Sequence, residues 1–387
     1  MLGLFEGPAE IACALVVVTA LARRMLRLDD LRDPVIVGTA LWIAAGIPGA
    51  LSSTVKVSSE DSLRPLLSLA LLAGTMTLPS TTPRTLRAMA IAFTAAITLN
   101  AGYGYLQLTF GALPLDRFLL KNPASPQIID PVAWGRRGVS GLFYNRLKLA
   151  HAGILGLGLV TLIAIEPRVR RSTRAWCAAS AAVIAPAVAM TGARMAVAAA
   201  LIAIVFVIAL TSSKRTLVVA AATAIVTAGL VAATPSGRAR LRRAVSDTAI
   251  RHTIHAVAWN VFLESPILGV GHGTYRVRAE PHAAPGFSRE WTVDAHSIPL
   301  HALAETGLVG TTGLLTAIGV ALLRVIRRIR AGAEELVSSV TDRFSLYGLT
   351  AIACLGSFHF PMHHATIALA FWYLLALASR SHRIAEP

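Results

Sequence analysis

Three side chains sit where polar sequence meets apolar sequence: Arg194 in MTGARMAV, Arg251 in DTAIRHTIHAV and His296 in AHSIPLHALAETGLVG. Arginine offers a planar fork of donors suited to two oxygens of a phosphate or carboxylate, and it keeps its charge at any relevant pH. Histidine titrates near neutrality and can take a proton from a hydroxyl. Two arginines and a histidine at one site would therefore hold an anion and deprotonate a nucleophile. Each also has a plainer reading. Arg194 can reach out to lipid head groups, Arg251 can be a solvated surface residue, and His296 can cap or pack the start of a helix. Taken singly, position does not separate these readings.

The elements that would carry these residues follow from composition. The 387 residues are 55% hydrophobic and 14% charged, with a mean hydropathy of +0.63. That is more apolar surface than a soluble fold buries. Uncharged runs such as 175–193, 195–211 and 216–234 approach the roughly 20 residues needed to cross about 30 Å of hydrocarbon. The pattern predicts an all-α polytopic membrane protein with eleven spans, at 7–22, 35–51, 65–79, 86–106, 149–165, 175–193, 195–211, 216–234, 301–323, 344–360 and 364–379. The first apolar segment has no basic region before it and is followed by RRMLR, so it reads as a retained helix rather than a cleaved signal. Cys13, Cys177 and Cys354 lie within apolar runs, without disulfide or zinc spacing.

The net charge of +16 would suggest nucleic acid in a soluble protein. Here much of it falls in short loops between spans, so no nucleic-acid partner is called for. Placing RRMLR, TTPRTLR, PRVRRSTR, SSKR, RVIRRIR and RSHR on the cytoplasmic side gives consistent alternation, with the C-terminus inside and the N-terminus outside. The chain then divides into N-terminal transmembrane helices (1–106), an outward segment (107–148), central helices (149–234), a large outward loop (235–300) and C-terminal helices (301–387). The large loop holds eight arginines, no lysine, five acids and five histidines, a basic surface that an anionic ligand would match. Within it, RARLRRAVSDTAIRHTIHAVAWNVFLESP reads as a helix capped at Ser246 or Asp247 and closed by Pro266, with Arg251, His255, Ala258 and Phe262 on one face. GVGHGTYR then sets glycines around His272, suited to a tight turn or to close approach of the backbone to a ligand.

Four elements, in order over roughly residues 135–323, resemble the O-antigen ligase and polymerase superfamily of membrane glycosyltransferases. GVSGLFYNRLKLAH resembles its G-x-F-x-N-x-n-x-L-A segment through Gly141, Phe143, Asn145 and Ala150. MTGARMAV is similar to its T-x-S-R-G turn, with Arg194 as the arginine and Ala193 and Met195 in place of the usual small residues. RHTIHAVAWNVFLESPILGVGHG looks like the segment in which an arginine precedes a Pro and a GvG-G turn, through Arg251, Pro266, Gly269 and Gly271. HSIPLHALAETGLVG fits the ligase pattern of His, then Asn, Ser or Gln, nine residues, then GxxG, through His296, Ser297, Gly307 and Gly310.

The resemblance implies a GT-C-like fold of about 11–12 spans in the bacterial inner membrane, with a large periplasmic loop; family members usually have twelve, one more than the eleven read here. It implies metal-independent transfer, with no cofactor, of a glycan from an undecaprenyl-diphosphate-linked donor to a lipid A–core acceptor, amid membrane lipids. A sugar–diphosphate bond leaves behind high negative charge that arginines can clamp, and an acceptor hydroxyl needs a general base. On this reading Arg194 and Arg251 are the clamp and His296 is the base. Asn145, Gly271, His272 and Ser297 join the arginines as substrate-binding residues.

Three alternatives stay open. A polymerase or a protein O-oligosaccharyltransferase would use the same donor chemistry. A lipid-linked sugar flippase would also be basic and polytopic, but would be expected to place charge within its spans. Metal chemistry would draw on His359, His363 and His364 of HFPMHH, yet no HExxH spacing or carboxylate cluster accompanies them. His301 and Glu305, one helical turn apart, read as a pair bonded to each other or to a neighbouring helix.

Overall fold

A computed structural model describes residues 32–52, 83–110, 113, 140–143, 146–211, 235–284, 294–332, 336–359, 362 and 365–379. The chain is an all-α polytopic membrane protein, and six of the described helices are long and apolar enough to cross a bilayer. The helices are α1 (Pro34–Ser52), α2 (Pro83–Phe110), α3 (Arg146–Ile165), α4 (Arg171–Met190), α5 (Arg194–Thr211), α6 (Pro235–Glu264), the short α7 (Tyr275–Ala279), α8 (Ile298–Ala331), α9 (Leu336–Gly356) and α10 (Ala365–Ser379). The expected spans at 7–22, 65–79 and 216–234 lie outside the described residues, as does most of 107–148.

Most spans start at a proline or an arginine and run through Ala, Leu, Ile and Val with no carboxylate. Small residues let these helices approach closely, which is how apolar helices gain packing where lipid removes the hydrophobic drive. A side chain at Gly38 of α1 would strike the Gly313 carbonyl of α8, and one at Gly313 would strike the Gly38 carbonyl. Gly158 of α3 leaves room for the ring of Tyr347, whose hydroxyl donates to the Ile154 carbonyl at 2.8 Å. Leu149, Ile154, Leu155, Leu346, Leu349 and Trp372 fill the buried centre between α3, α9 and α10.

Four arginine–carboxylate pairs gather at one end of this bundle. Arg324 near the end of α8 meets Asp33 before α1 at 2.7 Å, and Arg328 meets Asp342 of α9 at 2.8 Å. Glu166, just after α3, takes Arg168 at 2.8 Å and Arg343 of α9 at 3.1 Å. These are the ends that the alternation of basic loops groups together.

Two expectations need correction. Ser246 and Asp247 do not start the loop helix: α6 runs without a break from Pro235. Proline is preset for the first helical turn, and the Arg, Ala and Leu that follow are strong helix formers, so nothing stops the helix before the expected caps. Its other end is as read, closing at Glu264 just before Pro266. The span expected at 301–323 is longer and broken: α8 covers Ile298–Ala331 with non-helical backbone at Gly307 (φ 59°, ψ −163°).

Candidate active site

The break in α8 organises the site. A helix interrupted at Gly307 orphans carbonyls on one side and N–H groups on the other, and such groups are costly inside a membrane. The SPILGVG segment after α6 satisfies them. The Ala304 and Glu305 carbonyls accept from the N–H groups of Val270 and Gly271, both at 2.9 Å. The N–H groups of Leu308 and Val309 donate to the Pro266 and Ile267 carbonyls at 2.9 and 3.1 Å. Contact is backbone to backbone: a Cβ on Gly307 would lie 2.4 Å from Ile267, and one on Gly269 would lie 2.2 Å from Glu305. Both glycines also have left-handed φ, 59° and 74°, open to glycine at little cost. The GvG and GxxG elements, nearly forty residues apart in sequence, are two halves of one junction.

His296 stands at the mouth of this junction, just before α8. It is the one non-glycine residue with positive φ (48°) among the described residues. Such strain persists where the surroundings impose it, and it clusters at functional positions. Asp294 imposes it here. Its Oδ1 accepts from the His296 N–H at 2.7 Å and lies 3.6 Å from the His296 Nδ1, leaving the imidazole a quarter exposed. Ser297 then caps the helix, its buried hydroxyl oxygen accepting from the Leu300 N–H at 3.5 Å.

Arg251 of α6 donates from Nη1 to the Phe358 carbonyl in the turn after α9. A guanidinium has five N–H donors, so a tether to one carbonyl is compatible with a bidentate grip on phosphate. One turn along α6, His255 is half-buried. Burial first, and then the positive charge of Arg251, His252 and His296, push its pKa below the ordinary histidine value. It is therefore a neutral imidazole near pH 7, and its Nε2 has no hydrogen-bond partner among the described residues. The ring of His359 lies 5.7 Å from that of His151 on α3, within the electrostatic reach of Arg251, His296 and Asp294.

Arg194 is exposed at the first position of α5, after the turn Thr191–Ala193 in which Gly192 has φ 70°. A Cβ on Gly192 would lie 3.6 Å from Nη1 of Arg146, which starts α3 little more than a turn before His151. Arg194 thus opens at the end of the bundle that carries His151, His359 and Arg251, beside a helix N-terminus whose dipole also favours an anion.

Of the residues expected from sequence, Arg251 and His296 come together with Asp294, His255 and His359, and Arg194 joins the same end through α3. Asn145 lies outside the described residues, though its neighbours Gly141 and Leu142 are anchored to α2: Gln107 donates to the Gly141 carbonyl at 2.7 Å and Leu142 N–H to the Asn100 side chain at 3.0 Å. Gly271 and His272 face inward. A Cβ on Gly271 would strike Ala50 of α1, and the buried His272 ring packs edge-on against Trp42 at 5.2 Å. Gly269 and Gly271 of GVGHG serve an approach of backbone to backbone within the chain. Asp294, His255 and Glu305 were missed as site residues; an aspartate two positions before the histidine was the signal for the first. His363 and His364 lie outside the described residues, and no group of three or more His, Cys, Asp or Glu placed to hold a metal ion is found among those described.

Residues 179–315 match the family model described as O-antigen ligase. The matched segment includes Arg194, Arg251, the GVGHG turn, His296 and Gly307, Gly310 and Gly313 of α8. No curated protein matches the chain.

Proposed function

We propose, from the premise that residues 179–315 carry an O-antigen ligase family segment, that this membrane protein is an O-antigen ligase. It transfers a polysaccharide from undecaprenyl diphosphate to a sugar of lipid A–core, on the periplasmic face of the inner membrane. The observation that supports this reading best is the junction itself. His296, held by Asp294, lies just before the broken helix, at the end of the bundle that carries Arg251 and at which Arg194 opens. The lipid tail of the donor would stay in the bilayer while its phosphates lie at that end.

The chemistry needs three things from these residues. Arg194 and Arg251 bind the diphosphate and take up the charge that grows on it as the anomeric C–O bond breaks. His296 accepts the proton of the acceptor hydroxyl as that oxygen bonds to the anomeric carbon. The diphosphate leaves with the electron pair of the broken bond. Asp294 orients the imidazole and stabilises its protonated form, the part a carboxylate plays beside a histidine base.

The reading is tested with purified protein in liposomes, lipid-linked glycan and lipid A–core, in excess chelator. Glycan should appear on lipid A–core at a rate that added Mg²⁺ or Mn²⁺ does not raise. Transfer that requires the metal, or glycan that lengthens on its own lipid carrier without reaching lipid A–core, would overturn it.

A further inference from the structure

Glu305 lies within α8 and is 8% exposed. A carboxylate buried in a span is costly unless its oxygens are engaged, and here both are. Oε1 accepts from the N–H groups of Gly273 at 2.8 Å and Tyr275 at 3.3 Å, in the loop after GVG. Oε2 lies 3.4 Å from Nε2 of His301 and 3.8 Å from Nδ1 of His272. A carboxylate at that position favours a proton on Nε2 of His301. Nδ1 is then a bare acceptor, and the N–H of Ala295 donates to it at 3.5 Å. Ala295 is fully buried and directly precedes His296. The ring of Tyr275, 4.8 Å from that of His301, keeps the imidazole from turning.

We propose that Glu305 is a positioning residue: through His301 it fixes the turn that presents His296, and through its other oxygen it holds the loop that splints the broken helix. The assignment rests on His296 being the general base. Its chemistry is specific to a carboxylate. A glutamine at 305 keeps an oxygen for Gly273 and Tyr275 but sets an N–H₂ donor toward the two imidazoles. His301 must then accept at Nε2 and carry its proton on Nδ1, where it meets the Ala295 N–H, donor against donor. The loop survives and the His296 turn does not.

The test measures turnover and undecaprenyl-diphosphate affinity for purified Glu305→Gln, His301→Ala, His301→Asn and the double variant Glu305→Gln/His301→Asn, with His296→Ala in parallel. Glu305→Gln and His301→Ala should lose roughly 10- to 100-fold in turnover, the scale of a misplaced catalytic group, with donor affinity within about threefold of the parent because the arginines are untouched. His301→Asn should recover most of the loss seen in His301→Ala, since its amide oxygen can replace Nδ1 as the acceptor for Ala295. The double variant should be no worse than His301→Asn alone, because without the imidazole the glutamine has nothing to invert; this non-additivity is not expected of simple destabilisation. Should Glu305→Gln fail to fold, the comparison of His301→Asn with His301→Ala decides alone. Normal turnover in Glu305→Gln and His301→Ala beside an inactive His296→Ala overturns the positioning role and leaves the base in place. Equal losses in His301→Asn and His301→Ala, or lost donor binding in Glu305→Gln, also overturn it. Normal turnover in His296→Ala removes the base and the positioning role together.

Discussion

The two ends of the bundle use polar residues in opposite ways. At the end that gathers Asp33, Glu166 and Asp342, each carboxylate meets arginine, and the arginines also close the bundle: Arg324 donates to the Ser379 carbonyl at 2.9 Å, and Arg328 to those of Ala378 and Leu377 at 2.9 and 3.3 Å. At the other end, Nε2 of His255, Nε2 of His272 and the Tyr275 hydroxyl are buried with no hydrogen-bond partner among the described residues. His296 and the glycines at 269, 271, 273 and 307 have positive φ. Paired charge at one end fastens helices. Strain and unsatisfied polarity at the other are the marks of a site built for something besides stability.

That contrast can be broken in graded ways. The largest effect should come from Gly307→Ala. Its φ and ψ are open to glycine alone, and the new Cβ meets the Ile267 backbone. Strain and overpacking together cost on the order of 3 kcal/mol or more, so thermal unfolding in detergent should fall sharply and transfer should be lost. A variant that melts and transfers like the parent would mean that the splinted helix break is not needed. Next is Arg328→Ala at the fastening end, which leaves Asp342 buried without its bidentate partner at a cost of about 3 kcal/mol. Here the melting temperature should drop while turnover per folded molecule stays near the parent value. A loss of turnover without a loss of stability would erase the distinction between the ends.

The smallest effect concerns His255. Its folded pKa is lowered, so below the ordinary value near 6.5 the unfolded chain binds a proton that the folded chain refuses. Stability should thus be unpenalised above that pH and should fall as pH drops from there toward the lowered value. His255→Gln should flatten this part of the melting profile below the ordinary histidine value near 6.5. An unchanged slope would show that His255 is not held neutral by its surroundings.

Much of this arrangement was legible from the sequence, for reasons that differ by element. The described spans expected at 35–51, 86–106, 149–165, 175–193 and 195–211 read correctly because about 20 apolar residues is a physical requirement of the bilayer and not a preference. Arg251, His255, Ala258 and Phe262 share one face because helical periodicity fixes that face whatever the rest of the fold does. The start of α6 is not legible from the sequence, because Ser246 and Asp247 look like caps while Pro235 begins a helix equally well. The junction itself was not legible. GvG and GxxG each looked like a local glycine motif, and only the tertiary fold shows that the glycines of one exist so that the backbone of the other can reach it. Glu305 was read with His301 as a local pair, and its bonds to Gly273 and Tyr275 come from a loop that no helical spacing predicts.

In the proposed mechanism one end of the protein divides its labour, arginine for the donor and His296 for the proton. The measurement that tests it most directly is undecaprenyl-diphosphate affinity against turnover for well-folded His296→Ala, Arg194→Ala and Arg251→Ala. His296→Ala should bind donor like the parent and turn over roughly 10²- to 10⁴-fold more slowly, while Arg194→Ala and Arg251→Ala should each lose donor affinity as well as rate. Near-normal turnover in His296→Ala, or normal donor binding in the arginine variants, would contradict it.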